Sequence, residues 1–136
     1  MTTALKSNDC NAWPPLSAEE IEASKRKTPL WKVEGASPPV LVREFKTKNF
    51  QSALDFINHA GAVAERRGHH PNLHITGWNN VKVDIYSHGT NSLTENDFNL
   101  AEAIDKDYVI AYSKKWLKEN PEVAAVKEKE AKEATN

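Results

Sequence analysis

A helical apolar stripe that stops at Gly68-His69-His70-Pro71 and resumes as strict alternation leaves this chain few ways to fold. Phe50, Ala53, Leu54, Ile57, Ala60 and Ala64 recur at three- and four-residue steps, one face of a helix. Arg66 and Arg67 stand in its last turn, where the dipole favours cations, and Gly68 terminates it. Pro71 blocks any continuation and drives His70 towards extended backbone. Leu73 to Trp78 and Val81 to Tyr86 then alternate as strands, and Asn79-Asn80 is the expected positive-φ pair of a tight hairpin turn. Two adjacent histidines are thereby held on a rigid corner between helix and strand, where side chains can meet a ligand.

The flanks repeat the same units. Leu16-Ser17-Ala18-Glu19-Glu20-Ile21 carries a capping box (Ser17, Glu20) and a hydrophobic staple (Leu16, Ile21), and the helix it starts must end before Pro29. Trp31 to Glu34 and Val40 to Phe45 read as a second hairpin around the loop at 35–39. Leu93-Thr94-Glu95-Asn96-Asp97-Phe98 is another staple and cap, with Thr94 as N-cap and Asp97 at the third helical position. Ala101, Ile104, Tyr108, Ala111 and Tyr112 extend that helix towards Trp116 and Leu117, limited by Pro121. The order helix-strand-strand-helix-strand-strand-helix predicts an α+β fold, a four-stranded antiparallel sheet with three helices on one face. Residues 1–15 read as a flexible arm, 16–120 as the folded domain, and 121–136 as a charged tail, a frayed helix or disordered.

Eighteen basic and nineteen acidic residues among 136 give a formal charge of −1, which offers no electrostatic case for nucleic acid or an anionic membrane. The single cysteine, Cys10, excludes an intrachain disulfide and fits a reducing compartment. No run reaches membrane-spanning length and no leader pattern opens the chain. The expected compartment is the cytoplasm; passive passage into the nucleus would leave no mark on the sequence.

Between 65 and 97 the chain gathers His69, His70, His74 and His88 with Glu65 and Asp97. Three readings compete. A metal site is disfavoured, because adjacent histidines lack the spacing that puts two ligands on one helix face and no cysteine accompanies them. A bland polar role suits His59 in mid-helix and His74 in mid-strand. Proton transfer without a metal suits His69, His70 and His88, with Glu65 and Asp97 orienting them, although both carboxylates also have helix-surface or cap explanations. All three histidines lie at element ends, so their removal is expected to leave little cavity.

The stretch resembles the pterin-4a-carbinolamine dehydratase family. The match is Glu65, three residues, His69-His70-Pro71, six residues, Trp78, nine residues, His88, eight residues, Asp97. A looser similarity runs from Leu16 to Tyr112, and P-N-L-H-I-T-G-W is one residue longer than in animal members. The resemblance implies elimination of water from 4a-hydroxytetrahydropterin to give quinonoid dihydropterin, with no metal and no organic cofactor. By that analogy His69 and His88 are acids on the two faces of the pterin, while His70 binds and polarises the ring or acts as base, and Asp97 supports them. Glu65, Gly68, Pro71, Trp78, Tyr86, Ser87 and Gly89 would line the substrate pocket. It also implies a homodimer paired at sheet edges, or a homotetramer joined through the central helix. Animal members double as dimerisation cofactors of a homeodomain transcription factor, and some plant relatives assist carboxylase assembly. A chain kept only for such a binding role would be free to lose its histidines, and this one has all three.

Overall fold

The computed structural model describes residues 13–87, 89–90 and 92–126. His88, the 1–12 part of the expected arm and residues 127–136 of the expected tail lie outside them. Ser17 caps α1 (Ala18–Ser24) through the expected box, its Oγ accepting from Glu20 N at 3.1 Å. A 3-10 turn, Lys25–Lys27, closes that segment ahead of Pro29. Strands β1 (Lys32–Glu34) and β2 (Val40–Lys46) form the first hairpin, and β3 (Asn72–Thr76) and β4 (Asn80–Ile85) the second. The four make one antiparallel sheet in the order β1-β2-β4-β3, with Leu41 opposite Ile85 and Phe45 opposite Val81. Leu41, Phe45, Val81, Val83 and Ile85 all point into the core, the period-two consequence of that register.

Helix α2 (Phe50–Arg67) covers this face with Ala53, Phe56, Ala60, Val63 and Ala64. Phe45 and Phe56 meet edge to face at 4.9 Å between centroids. The buried stripe is turned relative to the expected one: Phe56 and Val63 are in, and Phe50 is half exposed in the first turn. Gly68 ends the helix at φ 63°, the left-handed conformation that glycine adopts without a Cβ penalty.

Two further expectations are corrected. The β3–β4 turn is carried by Gly77 (φ 53°) and Trp78 (φ 63°), not by Asn79-Asn80. Asn80 already pairs with Thr76 in the ladder, and Asn79 is used to bind the chain ahead of α2, donating Nδ2 to Thr47 O at 2.8 Å. The last helix also breaks. Helix α3 (Glu95–Asp105) stops short of a positive-φ Asp107, and α4 (Lys114–Glu119) starts afresh with Ser113 as its cap. Between them Tyr112 bridges to Thr47, so the segment lies along the sheet margin, with Tyr112 buried and Tyr108 half-buried without a helix. Residues 121–126 are helical, and Val123 joins the core.

A buried polar knot ties α3 to the sheet. Arg43, in β2, bonds Asp105 Oδ1 at 2.6 Å and the Tyr112 hydroxyl, while Trp31 Nε1 donates to Asp105 Oδ2 at 2.9 Å. Burial lifts the Asp105 carboxyl above its ordinary value, against the pull of Arg43 and Trp31. The opposite face of the sheet is polar: Asp84 takes Asn72 Nδ2 at 2.7 Å and faces His74 Nε2 at 2.8 Å.

Candidate active site

The Gly68 terminator and Pro71 do locally what their chemistry dictates. The chain turns sharply out of α2, so that His69 points inward and His70 outward. His69 is 1% exposed, and its Nε2 lies 2.6 Å from Oδ1 of Asp97, itself fully buried in the first turn of α3. Helices α2 and α3 meet here, the C-terminal end of one against the N-terminal end of the other. The expectation that the histidines could be removed with little cavity fails for His69, which is among the largest fully buried side chains of the fold.

Asp97 is held on its other oxygen as well. Oδ2 accepts from Thr94 N at 2.7 Å, Thr94 Oγ1 at 3.2 Å and Ser87 Oγ at 2.9 Å. The cap role and the histidine role therefore coexist, one on each oxygen. Four donors around one carboxylate, beside the positive end of a helix, forbid it to swing. Ser87 also roots the loop that follows β4: its backbone exchanges hydrogen bonds with Ser92, N to O at 2.9 Å and O to N at 3.4 Å. His88 is the residue after this anchor.

His70 is on the outside, its side chain 64% exposed, with Nε2 3.0 Å from Oε1 of Glu65, which is 81% exposed. This pair bridges the last turn of α2 and the corner. Pro71 and Tyr86 are half-buried, Tyr86 packing against the core, and Gly89 is exposed in the loop. Trp78 is not brought to this site by the fold of one chain. It is 59% exposed at the far end of the β3–β4 hairpin, the length of β3 away from Pro71, roughly 16 Å for five strand residues.

The histidines expected to be bland have partners of their own. His74 faces Asp84 on the open face of the sheet, and His59 places Nε2 2.6 Å from Ile104 O and stacks on Tyr108 at 4.1 Å. Three of the imidazoles are each served by one carboxylate: His69 by Asp97, His70 by Glu65, and His74 by Asp84. Sequence reasoning took Ser87 for a pocket-lining residue and Thr94 for a cap alone. Their common bond to Asp97 has no signal in spacing, beyond the capping box that pairs 94 with 97.

Fold and dyad together define a small α+β domain with a sealed imidazole–carboxylate pair at a helix–strand corner. A family model described as pterin 4 alpha carbinolamine dehydratase matches residues 14–106. Over 93 residues, 68% of this chain and 84% of the other, the sequence is 39% identical to a Rubrobacter xylanophilus protein named for that dehydratase. Over 66 residues, 48% of this chain and 35% of the other, it is 48% identical to the mitochondrial pterin-4-alpha-carbinolamine dehydratase 2 of Arabidopsis thaliana. The crystal structure of a transcriptional coactivator/pterin dehydratase from Brucella melitensis superposes with a TM-score of 0.63 at 28% identity, covering 72% of this chain and 99% of that one. The chain belongs to the pterin 4 alpha carbinolamine dehydratase family, and with it to the hydro-lyases. No helix among the described residues is long and apolar enough to cross a membrane.

Proposed function

We propose that this protein eliminates water from a 4a-hydroxytetrahydropterin, the 4a-hydroxytetrahydrobiopterin adduct or a close analogue, by imidazole acid–base catalysis without a metal. The C4a–O bond breaks, the hydroxyl leaves as water with a delivered proton, and the neighbouring ring nitrogen gives up its proton as the quinonoid double bond forms. Both transfers suit groups that exchange protons near neutral pH.

The observation that carries this reading is the His69–Asp97 pair, sealed from solvent in a chain of this family. The Asp97 carboxylate faces Nε2 and holds the His69 ring in one orientation. Oδ1 of that carboxylate stands 2.6 Å from the ring, in an environment that excludes water. Ser87 and Thr94 keep that carboxylate in place. His70, outside and oriented by Glu65, binds the pterin ring or takes the ring proton. His88 is the second acid by its position in the motif, next in sequence to Ser87. Gly68, Pro71, Tyr86 and Gly89 shape the walls. Pairing of two copies at a sheet edge, or of four through α2, accords with the unpaired side of β3 and with the small residues Ala53, Ala60 and Ala64. Retention of all three motif histidines favours the enzyme over a purely binding protein on the same scaffold.

The test is dehydration of enzymatically generated 4a-hydroxytetrahydropterin, followed by absorbance with and without the protein and again after chelation. Turnover well above the spontaneous rate, unchanged by chelation, is expected. No acceleration overturns the reaction, and loss of turnover on chelation overturns its metal independence.

A further inference from the structure

Away from the His69 corner, a cavity of about 570 Å³ opens between the Lys27–Leu30 segment, the end of α2 and the outer face of α3. That volume is within the usual range for a small-molecule site. Its lining holds three cations, Lys27, Arg67 and Lys106, against two carboxylates, Glu102 and Asp105. Asp105 is spent: both of its oxygens are taken, by Arg43 and Trp31. Lys27 is pinned by Glu95 and by Asn99 Oδ1, the latter at 3.1 Å. Arg67 has no ion-pair partner among the described residues, and its Nε is buried without an acceptor. A guanidinium left so is costly and geometrically ready for an oxyanion. Because Asn99 accepts from Lys27 on its oxygen, its amide N–H groups are left to donate in the same space. Leu30 and Ala103 supply the apolar wall. Lys106, just past the end of α3, lies seven residues beyond Asn99, about 10 Å along the groove.

We propose that this groove binds a small organic anion, its carboxylate or phosphate held by Arg67 and Asn99 beside Lys27, and its short apolar body lying along Leu30 and Ala103. The single positive charge in excess admits one anionic group. Glu102, which has no ion-pair partner among the described residues, rejects a second at mid-groove and welcomes an N–H donor there. Neither His69 nor Asp97 lines the groove, and the proposal does not depend on the proposed reaction.

The full chain is titrated with sodium butyrate and, separately, with inorganic phosphate. Backbone amide resonances are followed at constant ionic strength, with chloride as the reference. Saturable shifts at Leu30, Asn99 and Ala103 are expected for at least one probe. Their midpoint should rise tenfold or more in Arg67→Gln and in Asn99→Asp, and stay unchanged in Arg66→Gln, the exposed neighbour. Saturation by butyrate alone makes the headgroup a carboxylate, and by phosphate alone a phosphate; saturation by both supports a site for either. Shifts that stay linear and match those of chloride for both probes overturn the proposal, as do saturable shifts that survive both substitutions in proteins whose spectra remain those of the folded parent.

Discussion

Asp97 divides its two oxygens between two jobs: Oδ1 lies 2.6 Å from His69 Nε2, and Oδ2 closes the cap of α3 by accepting from Thr94 N at 2.7 Å. The residue that starts a helix is the one that orients the histidine, so helix and dyad are set by one side chain.

It follows that Asp97→Asn should lower both turnover and stability. One amide cannot replace the charge at His69 and the acceptor at Thr94 and Ser87 together. Turnover is expected to fall on the order of a hundredfold, and stability by about 1–2 kcal/mol, the worth of a cap with one buried hydrogen bond. Steady-state rates and urea unfolding measure the two. A change in only one of them would mean that the two oxygens do not work as a unit.

The two adjacent histidines should separate by stability. His69→Ala removes a buried ring and leaves Asp97 buried without its partner, at a cost of about 2–4 kcal/mol. His70→Ala, at an exposed site, should change stability by less than about 0.5 kcal/mol. Both should lose turnover, by roughly a hundredfold each. Comparable melting temperatures for the two variants would contradict the burial difference.

Arg43 and Asp105 should each be costly to lose alone. Arg43→Met strands a carboxylate that burial already pushes up, and Asp105→Leu strands a guanidinium that is 4% exposed. Each single change is expected to cost about 3–5 kcal/mol, and the double change markedly less than their sum. Chemical denaturation of the three variants gives the coupling, and additive costs would show that the knot is not a unit.

The acid limb of stability has an identifiable contributor. Although burial pushes Glu95 up, the Ser24 hydroxyl and the Lys27 ammonium hold its carboxyl below the ordinary 4.5. Its folded value lies below its unfolded one, so between them the unfolded chain binds the extra proton. The stability that Glu95 contributes is complete above 4.5 and disappears as pH falls through the lowered folded value. The difference between parent and Glu95→Gln, in which the opposite trend of Asp105 cancels, should shrink as pH is lowered from 5 towards 3. A difference independent of pH would remove Glu95 from the acid limb.

Trp78 sits at φ 63°, where a side chain other than glycine is strained by about 1 kcal/mol. Trp78→Gly should therefore leave stability level or raise it, as thermal unfolding will tell. A clear loss would mean that this exposed ring is packed against something that the single chain does not contain.

Local chemistry made much of this legible in the sequence. The Ser17–Glu20 and Thr94–Asp97 boxes, the Gly68 terminator and the alternation of β3 and β4 are short-range devices, readable because each partner is within a few residues of the other. The order of elements and the antiparallel sheet followed, since each hairpin declares its own pairing. The motif of Glu65, His69, His70, His88 and Asp97 was legible through its resemblance to a known family. What spacing could not give is which imidazole faces inward. Only the close approach of α2 to α3 buries His69 against Asp97 and leaves His70 in solvent, and adjacent residues at a corner look alike until something packs on one of them. The break after Asp105 was hidden for the same reason. Tyr108, Ala111 and Tyr112 keep a helical rhythm, yet Tyr112 is fixed by Arg43 and by its bridge to Thr47, contacts from 69 and 65 residues away that outweigh a weak local preference. Trp78, placed with the site by its motif and at the far end of a hairpin by the fold, shows the limit from the other side: a motif orders residues along the chain, and only the packed chain decides their distance in space.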